Sequence, residues 1–210
     1  QIAIVEEALK ALGVLVRPMV EFEADDALAA AAVKAAALEN VNQVLICTPD
    51  KDLCQCVSGS KIVQLDRRRD NAIRNEDGVV EKFGVKPQSI PDYLALVGDT
   101  ADGYPGLAGW GEKGAATILA QYHHLENIPK DITNWPTIRG ATKLAATLFE
   151  QWNDALLYRD LATLRLDVPV FNNIDELKWH GPTEGFEATC ERLKAKNTFK
   201  RVQKLLSAKA

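Results

Sequence analysis

The stretch that most constrains the fold runs from Phe22 to Asp52. It opens Phe22-Glu23-Ala24-Asp25-Asp26-Ala27 and continues as an alanine-rich segment to Leu38. It then reaches the apolar run Val41-Asn42-Gln43-Val44-Leu45-Ile46-Cys47, followed directly by Thr48-Pro49-Asp50-Lys51-Asp52. The alanines predict a helix, and the short aliphatic run predicts a buried parallel strand. Asp50 and Asp52 then lie on the loop leaving the carboxyl end of that strand, the edge at which open α/β sheets bind ligands. Glu23, Asp25 and Asp26 fall at the first turn of the helix, on the approach to the same edge. Carboxylates crowded in this way repel and raise one another's pKa, so a chain that keeps them together is expected to hold a divalent cation between them. Oxygen ligands with no His or Cys among them point to Mg²⁺ or Mn²⁺ rather than zinc. A structural reading stands beside this one. Asp is a good N-cap, an acidic first turn suits the helix dipole, and Asp50 after Pro49 also serves as an ordinary turn residue.

With 210 residues, 47% hydrophobic and 26% charged, the chain suffices for one sizeable core, or one core with a small accessory domain. The start reads as an amphipathic helix with Ile2, Val5, Leu9 and Leu12 on one face, not as a signal peptide. No apolar run is long enough to span a bilayer, so no membrane association and a soluble, cytoplasmic protein are expected. Cys47, Cys54, Cys56 and Cys190 lack a metal-ligand spacing and read as reduced core thiols. The formal net charge of -4 hides a segregation of sign. Acidic residues gather at Glu21 to Asp26, Asp50 to Asp52 and Asp92 to Asp102. Basic ones gather in Arg67-Arg68-Arg69 and in the tail at Arg192, Lys194, Lys196, Lys200, Arg201, Lys204 and Lys209. This suits a metal-dependent enzyme acting on a polyanion. The tail alone also fits a solvated terminal helix.

Elsewhere in the first part, Val14-Leu15-Val16 reads as a short strand, Leu53 to Val57 as a short helix and Lys61 to Leu65 as a strand. Asp66 to Gly78 reads as a polar hairpin or loop with a turn at Glu76-Asp77-Gly78, and Val79 to Phe83 as a helix stopped at Gly84. From Ser89 the chain becomes helical, beginning with Pro91 in a first turn. Further helices are expected near 117–122, 141–148, 152–161 and 184–207. The pattern is α/β over residues 1–88, then helical over 89–210.

Two motifs follow Gly98. In Gly98-Asp99-Thr100-Ala101-Asp102-Gly103, the two aspartates are three apart and can face the same way. With Asp50 and Asp52 they would complete a second carboxylate cluster. Two divalent ions about 3.5–4 Å apart are a recurring arrangement for phosphodiester cleavage, and neither needs a nucleophilic side chain. A glycine-flanked surface turn is the alternative. Next, Gly109-Trp110-Gly111-Glu112-Lys113 reads as a helix–hairpin–helix turn. Its glycines admit a phosphate close to the backbone, the following helix presents amides to it, and Lys113 adds a charge. Such contacts position nucleic acid without reading its sequence.

Taken in order, Glu-Ala-Asp-Asp, Cys-Thr-Pro-Asp-Lys-Asp-Leu, the Val80 to Pro87 segment, Gly-Asp-x-x-Asp and Gly-x-Gly-x-Lys resemble the bacterial and phage 5'→3' exonuclease and flap endonuclease family. That family includes the 5'-nuclease domain of DNA polymerase I. The resemblance extends to Tyr158–Pro169 and Leu177–Pro182. It implies a partial PIN-like catalytic α/β domain with a mostly parallel sheet over residues 1–88. A helical helix-3-turn-helix domain over 89–210 would follow. It implies two Mg²⁺ or Mn²⁺ ions and a monomer acting on DNA with 5' flaps or ends at single-strand/double-strand junctions. On this chain, Glu23, Asp25 and Asp50 match ligands of a first ion. Asp52, Asp99 and Asp102 match those of a second, with Asp26 nearby or bridged by water. Gly109, Gly111 and Lys113 match phosphate-holding positions, and carbonyls around Leu107 and Trp110 would coordinate K⁺. The family's opening strand with its Asp ligand, and the helical arch after it, have no counterpart from Gln1 onward. Gly114 stands where the family usually has Thr. Two other readings are therefore kept: a duplex-DNA-binding module that does not cut, and a PIN-type ribonuclease.

Overall fold

The computed structural model describes residues 1–208, so Lys209 of the basic tail lies outside them. The elements are α1 (Ile2–Ala11), α2 (Ala24–Ala36), β1 (Val44–Ile46), β2 (Ile62–Asp66), β3 (Ala72–Arg74), α3 (Glu76–Phe83) and α4 (Ile90–Val97). They continue with α5 (Glu112–Tyr122), α6 (Ala141–Glu150), α7 (Trp152–Ala162), α8 (Phe186–Arg192) and α9 (Lys196–Ser207). Short 3₁₀ turns punctuate them. The described chain packs as two compact units: Phe22–Pro169, and Gln1–Glu21 together with the residues from Val170 on. Among the described residues no helix is long and apolar enough to cross a membrane.

In the larger unit β2 is the central strand. It pairs parallel with β1, setting Ile46 opposite Gln64, and antiparallel with β3, setting Gln64 opposite Arg74. The alanines of α2 explain themselves here. Ala29 and Ala32 have no bulk to hold the helix away, and they pack onto Ile46, Leu53, Cys56 and Ile62. That close approach brings the acidic first turn of α2 up to the end of β1. Two local expectations need correction. The run Val41–Cys47 contributes only three strand residues, and Leu45 on its outer side is 44% exposed, so the strand is buried on one face rather than two. Glu76-Asp77-Gly78 is not a turn but the first turn of α3. Asn75 caps it by accepting from the Gly78 amide at 3.0 Å, with Glu76 and Asp77 complementing the dipole. The hairpin reversal lies earlier, at Asp70 and Asn71, both with positive φ.

The second core of this unit is helical. Residues Ile90 to Leu96 of α4 are all buried, and α4 packs along α7 and α5. Within it Asp92 is a buried charge. It accepts from the Leu125 amide at 3.2 Å and Arg159 Nη1 at 3.3 Å, and meets His124 Nδ1 at 2.8 Å. Arg159 also reaches Glu126. A buried carboxylate needs such compensation, or its desolvation is unpaid.

In the smaller unit the expected strand at Val14–Val16 does not form. A strand needs a ladder partner, and these residues make none. Instead residues 12–15 line a small apolar cavity with residues 176–179 of the same unit, fastened by Trp179 Nε1 donating to the Leu12 carbonyl at 2.8 Å. α1 buries no residue completely, and Ile2 on its expected apolar face is 79% exposed. Leu12 packs with Phe186, Cys190 and Val202.

The loop after α4 is pinched at its base. Gly98 and Gly106 both have positive φ, and a Cβ on Gly98 would lie 2.4 Å from the Pro105 carbonyl. Above the pinch Asp99 and Tyr104 exchange backbone hydrogen bonds at 2.9 and 3.0 Å. Gly103, at the tip, has similar φ but open space around it. Gly98→Ala should therefore cost roughly 3 kcal/mol or more, against about 1 kcal/mol for Gly103→Ala, where only backbone strain applies. Urea denaturation midpoints of the two variants check this; equal losses would contradict it.

Candidate active site

The loop leaving β1 is built from its own side chains. Thr48 Oγ1 accepts from the Asp50 amide at 3.2 Å, and Asp50 Oδ1 accepts from the Asp52 amide at 3.3 Å. Asp52 then opens a 3₁₀ turn (Asp52–Cys56) anchored by Leu53 and Cys54, both fully buried. From the neighbouring strand the buried Gln64 donates its amide to the Asp50 carbonyl, while its Oε1 accepts from Arg74 and from the Cys54 thiol. Gln55 donates to the carbonyls of Asp52 and Ala162, each at 2.9 Å, and accepts from the Leu164 amide at 3.1 Å. The loop is thus fixed to β2 on one side and to the end of α7 on the other.

Three segments deliver carboxylates to this place. Asp52, Asp99 and Asp102 offer oxygens that all lie within 4.8 Å of one another. Asp99 is held by the pinched loop: its Oδ1 accepts from the Ala101 amide at 3.0 Å and its Oδ2 meets Lys51 Nζ. Burial alone would raise its pKa, but the Lys51 ammonium and the Ala101 amide hold it below the usual carboxylate range. Asp52 has no such help. Burial first, then the charge of Asp102 and those of Asp50 and Asp99, pushes its pKa up to about 8, and its Oδ1 is buried without a hydrogen-bond partner. Asp25 is raised by burial and then by Asp50, Glu23, Asp102 and Asp26, so α2 and both loops share one field. Burial also raises the hydroxyl of Tyr104, with the Asp52 charge next.

Glu23, Asp25, Asp26, Asp52 and Asp102 line one cavity of about 520 Å³ together with Asp160 and the segment Thr163–Arg165. Asp26 differs from the others. Its Oδ2 accepts from the Glu23 amide at 3.2 Å, completing a capping box, and its Oδ1 accepts from the Arg165 amide at 2.8 Å. Both oxygens are committed to structure. Asp52, Asp99 and Asp102 form a hard, all-oxygen donor set that includes an orphaned buried oxygen, which fits a divalent cation, while Glu23 and Asp25 line the same cavity.

The glycine turn lies in the same unit. Gly109 takes φ +85° and Gly111 caps α5 in an extended conformation. Leu107 and Trp110 are buried; the Trp110 amide donates to the Leu107 carbonyl at 3.1 Å, and its indole to the Leu144 carbonyl at 3.1 Å. Lys113 is exposed on the first turn of α5. A Cβ on Gly114 would meet Leu144 and Trp110 only at ordinary contact distance, so glycine is not sterically required there.

An α/β layer presenting carboxylates at a strand end, followed by helices with a glycine turn, defines the class: an α/β protein whose clustered carboxylates are able to hold a metal ion. Residues 1–84 match the family model of the 5'-3' exonuclease N-terminal, resolvase-like domain, and residues 85–185 match that of the 5'-3' exonuclease C-terminal SAM fold. A 5'-3' exonuclease of Aquifex aeolicus is 35% identical over 206 residues, covering 98% of this chain and 67% of that protein. DNA polymerase I of Mycobacterium bovis is 36% identical over 181 residues, covering 85% of this chain and 19% of the polymerase. The chain belongs to the 5'-3' exonuclease family. Among solved structures, the fold is shared with the catalytic core of Rad2 in complex with DNA substrate (TM-score 0.58, 18% identity, 91% of this chain and 63% of that one). It is also shared with T5 5'-exonuclease bound to divalent metal ions (TM-score 0.54, 20% identity, 69% of this chain and 52% of that one). This chain thus spans about two thirds of the Aquifex relative and about a fifth of the polymerase.

Sequence reasoning missed Gln55, Gln64 and Lys51. A lone Gln in a strand or a short helix carries no spacing signal, and its partners are distant in sequence. Lys51 had a signal, a cation between two acids, but not its partner.

Asp52 binds its proton more tightly folded than unfolded. Between pH 3.8 and about 8 the folded state therefore holds the extra proton, and metal-free stability falls as pH rises through that window. Asp25 adds to this, whereas Asp99, with a lowered pKa, loses its contribution as pH falls toward its folded value. Asp52→Asn should flatten the decline and melt higher than wild type at pH 8 in EDTA. Thermal melts at pH 5 and pH 8 decide it; parallel curves for both proteins would contradict the assignment.

Proposed function

We propose that the chain is the carboxylate-bearing part of a structure-specific 5'→3' exonuclease or flap endonuclease. It would work as a monomer in the cytoplasm and hydrolyse DNA phosphodiesters at 5' ends and flaps with two Mg²⁺ or Mn²⁺ ions. The observation that carries the proposal is the convergence of three acidic segments at the strand end, where Asp52, Asp99 and Asp102 cluster around an orphaned Asp52 oxygen and Asp25 feels Asp50 and Asp102. Family membership supports it, as do the solved relatives with DNA or divalent ions.

In this reading residues 1–88 contribute the catalytic domain and 89–210 the DNA-holding domain. Glu23, Asp25 and Asp50 hold a first cation, and Asp52, Asp99 and Asp102 a second. Asp26 positions Glu23 and the Arg165 segment. Such a pair, when bound, supplies Lewis-acid stabilisation of the attacking and leaving oxygens of an in-line displacement. Tyr104 and the Thr163–Arg165 segment wall the cavity. Gly109 and Gly111 let duplex phosphates reach the backbone, Lys113 adds a charge, and carbonyls at Leu107 and Trp110 hold K⁺.

Cleavage of a 5'-labelled flap duplex by this 210-residue chain, with Mg²⁺ or Mn²⁺ and with EDTA as control, tests the reading. Metal-dependent cutting near the junction is expected, and Asp50→Asn should abolish it while leaving DNA binding largely intact. Duplex binding that tightens at low salt without any cutting would replace the proposal with the DNA-binding module, and cutting confined to RNA with a ribonuclease. Lys113→Ala should weaken binding alike on all sequences and reduce the salt slope by about 1; a sequence-selective loss would contradict a phosphate contact.

A further inference from the structure

Asp99 is 4% exposed and surrounded by acids. One of its oxygens belongs to the Ala101 amide. The other, Oδ2, carries the Lys51 Nζ ion pair. Lys51 comes from the loop that also carries Asp50 and Asp52, where its backbone caps the 3₁₀ turn. Its side chain is 33% exposed, so the ammonium has a route outward that needs only rotation of its stem. A divalent ion on the Asp52–Asp99–Asp102 group and an ammonium on Asp99 Oδ2 would be like charges a few ångströms apart, in a partly buried site where screening is weak.

We propose that Lys51 is the resident counter-cation of the Asp52–Asp99–Asp102 group and a competitor for the divalent ion there, leaving Asp99 when that ion is taken up. The inference rests on the metal reading given above and goes beyond it. Without metal, Lys51 offsets part of the repulsion among buried carboxylates and keeps Asp99 oriented. With metal, its role at Asp99 passes to the ion, and the ammonium is released beside the cavity. Loading of this site is then an exchange of one cation for another rather than a simple addition. Lys51 therefore sets the metal concentration at which loading occurs, acting as a positioning residue and not as a catalytic one.

Calorimetric titration of the metal-free chain with Mn²⁺ tests this, comparing wild type with Lys51→Met and Lys51→Arg. Lys51→Met should bind Mn²⁺ roughly tenfold more tightly, while its metal-free form melts lower; Lys51→Arg, which keeps the charge, should bind much as wild type does. Equal or weaker binding by Lys51→Met overturns the competition and leaves Lys51 a structural strut, with the metal reading intact. No Mn²⁺ binding by any of the three overturns both readings. A second measurement covers a variant that fails to fold. In wild type, acylation of Lys51 by an N-hydroxysuccinimide ester, followed by mass spectrometry, should accelerate several-fold on adding Mg²⁺, with Lys113 as internal reference. Unchanged or slower labelling of Lys51 overturns the proposal.

Discussion

Like charge held at short range is the condition on which the rest of the molecule depends. Glu23, Asp25, Asp50, Asp52, Asp99 and Asp102 come from three separate segments, and their mutual repulsion would drive those segments apart if nothing else fixed them. Each segment is fixed by an uncharged device. The alanine face of α2 seats the helix against β1, buried Leu53 anchors the 3₁₀ turn, and the Gly98–Gly106 pinch closes the third loop. Packing of this kind does not weaken with pH or salt, which is what a cluster of carboxylates requires of its support.

The amide side chains add direction to that support. Gln64 reaches the Asp50 carbonyl from β2, and Gln55 joins the Asp52 carbonyl to the end of α7. They hold the backbone and leave the carboxylate oxygens available. Asp26 is the contrasting case, since both of its oxygens are used to hold the helix start and the Arg165 segment. Residues of Glu-Ala-Asp-Asp thus combine lining the cavity with building its frame: Glu23 and Asp26 close the capping box reciprocally, and Asp26 also holds the Arg165 segment.

The α/β-then-helical class and the meeting of the acidic segments were legible in the sequence, whereas several local elements around them were not. Glu23, Asp25, Asp50 and Asp52 could be placed at one edge from residue type, helix start and strand end, whereas Asp99 and Asp102 were joined to them by their three-residue spacing and the family resemblance. The glycine turn at Gly109 to Lys113 was legible for a similar reason, since its positive φ and helix start are local. What stayed hidden depended on distant partners. The ion pair of Lys51 with Asp99 and the Gln55 clamp involve residues that no local pattern connects. Glu76-Asp77-Gly78 looked like a turn because its composition suits one, but Asn75 supplies a cap that converts the same residues into a helix start. Val14–Val16 has strand-forming side chains without a strand to pair with, and β-propensity alone cannot supply one.

The pinched loop also bears on the order in which the site can assemble. The Asp99–Tyr104 bridge closes over only a few residues, so little chain entropy opposes it and that half of the site can form early. The Gln55 clamp joins residues 107 and 109 positions apart in the chain, and it can close only once α7 has docked. Asp99 and Asp102 thus belong to a locally closed element, whereas the Asp52 segment is also held by a clamp that spans more than a hundred residues. The carboxylates are therefore brought together by contacts of very different sequence span, and the longest-range of them carry the highest closure entropy.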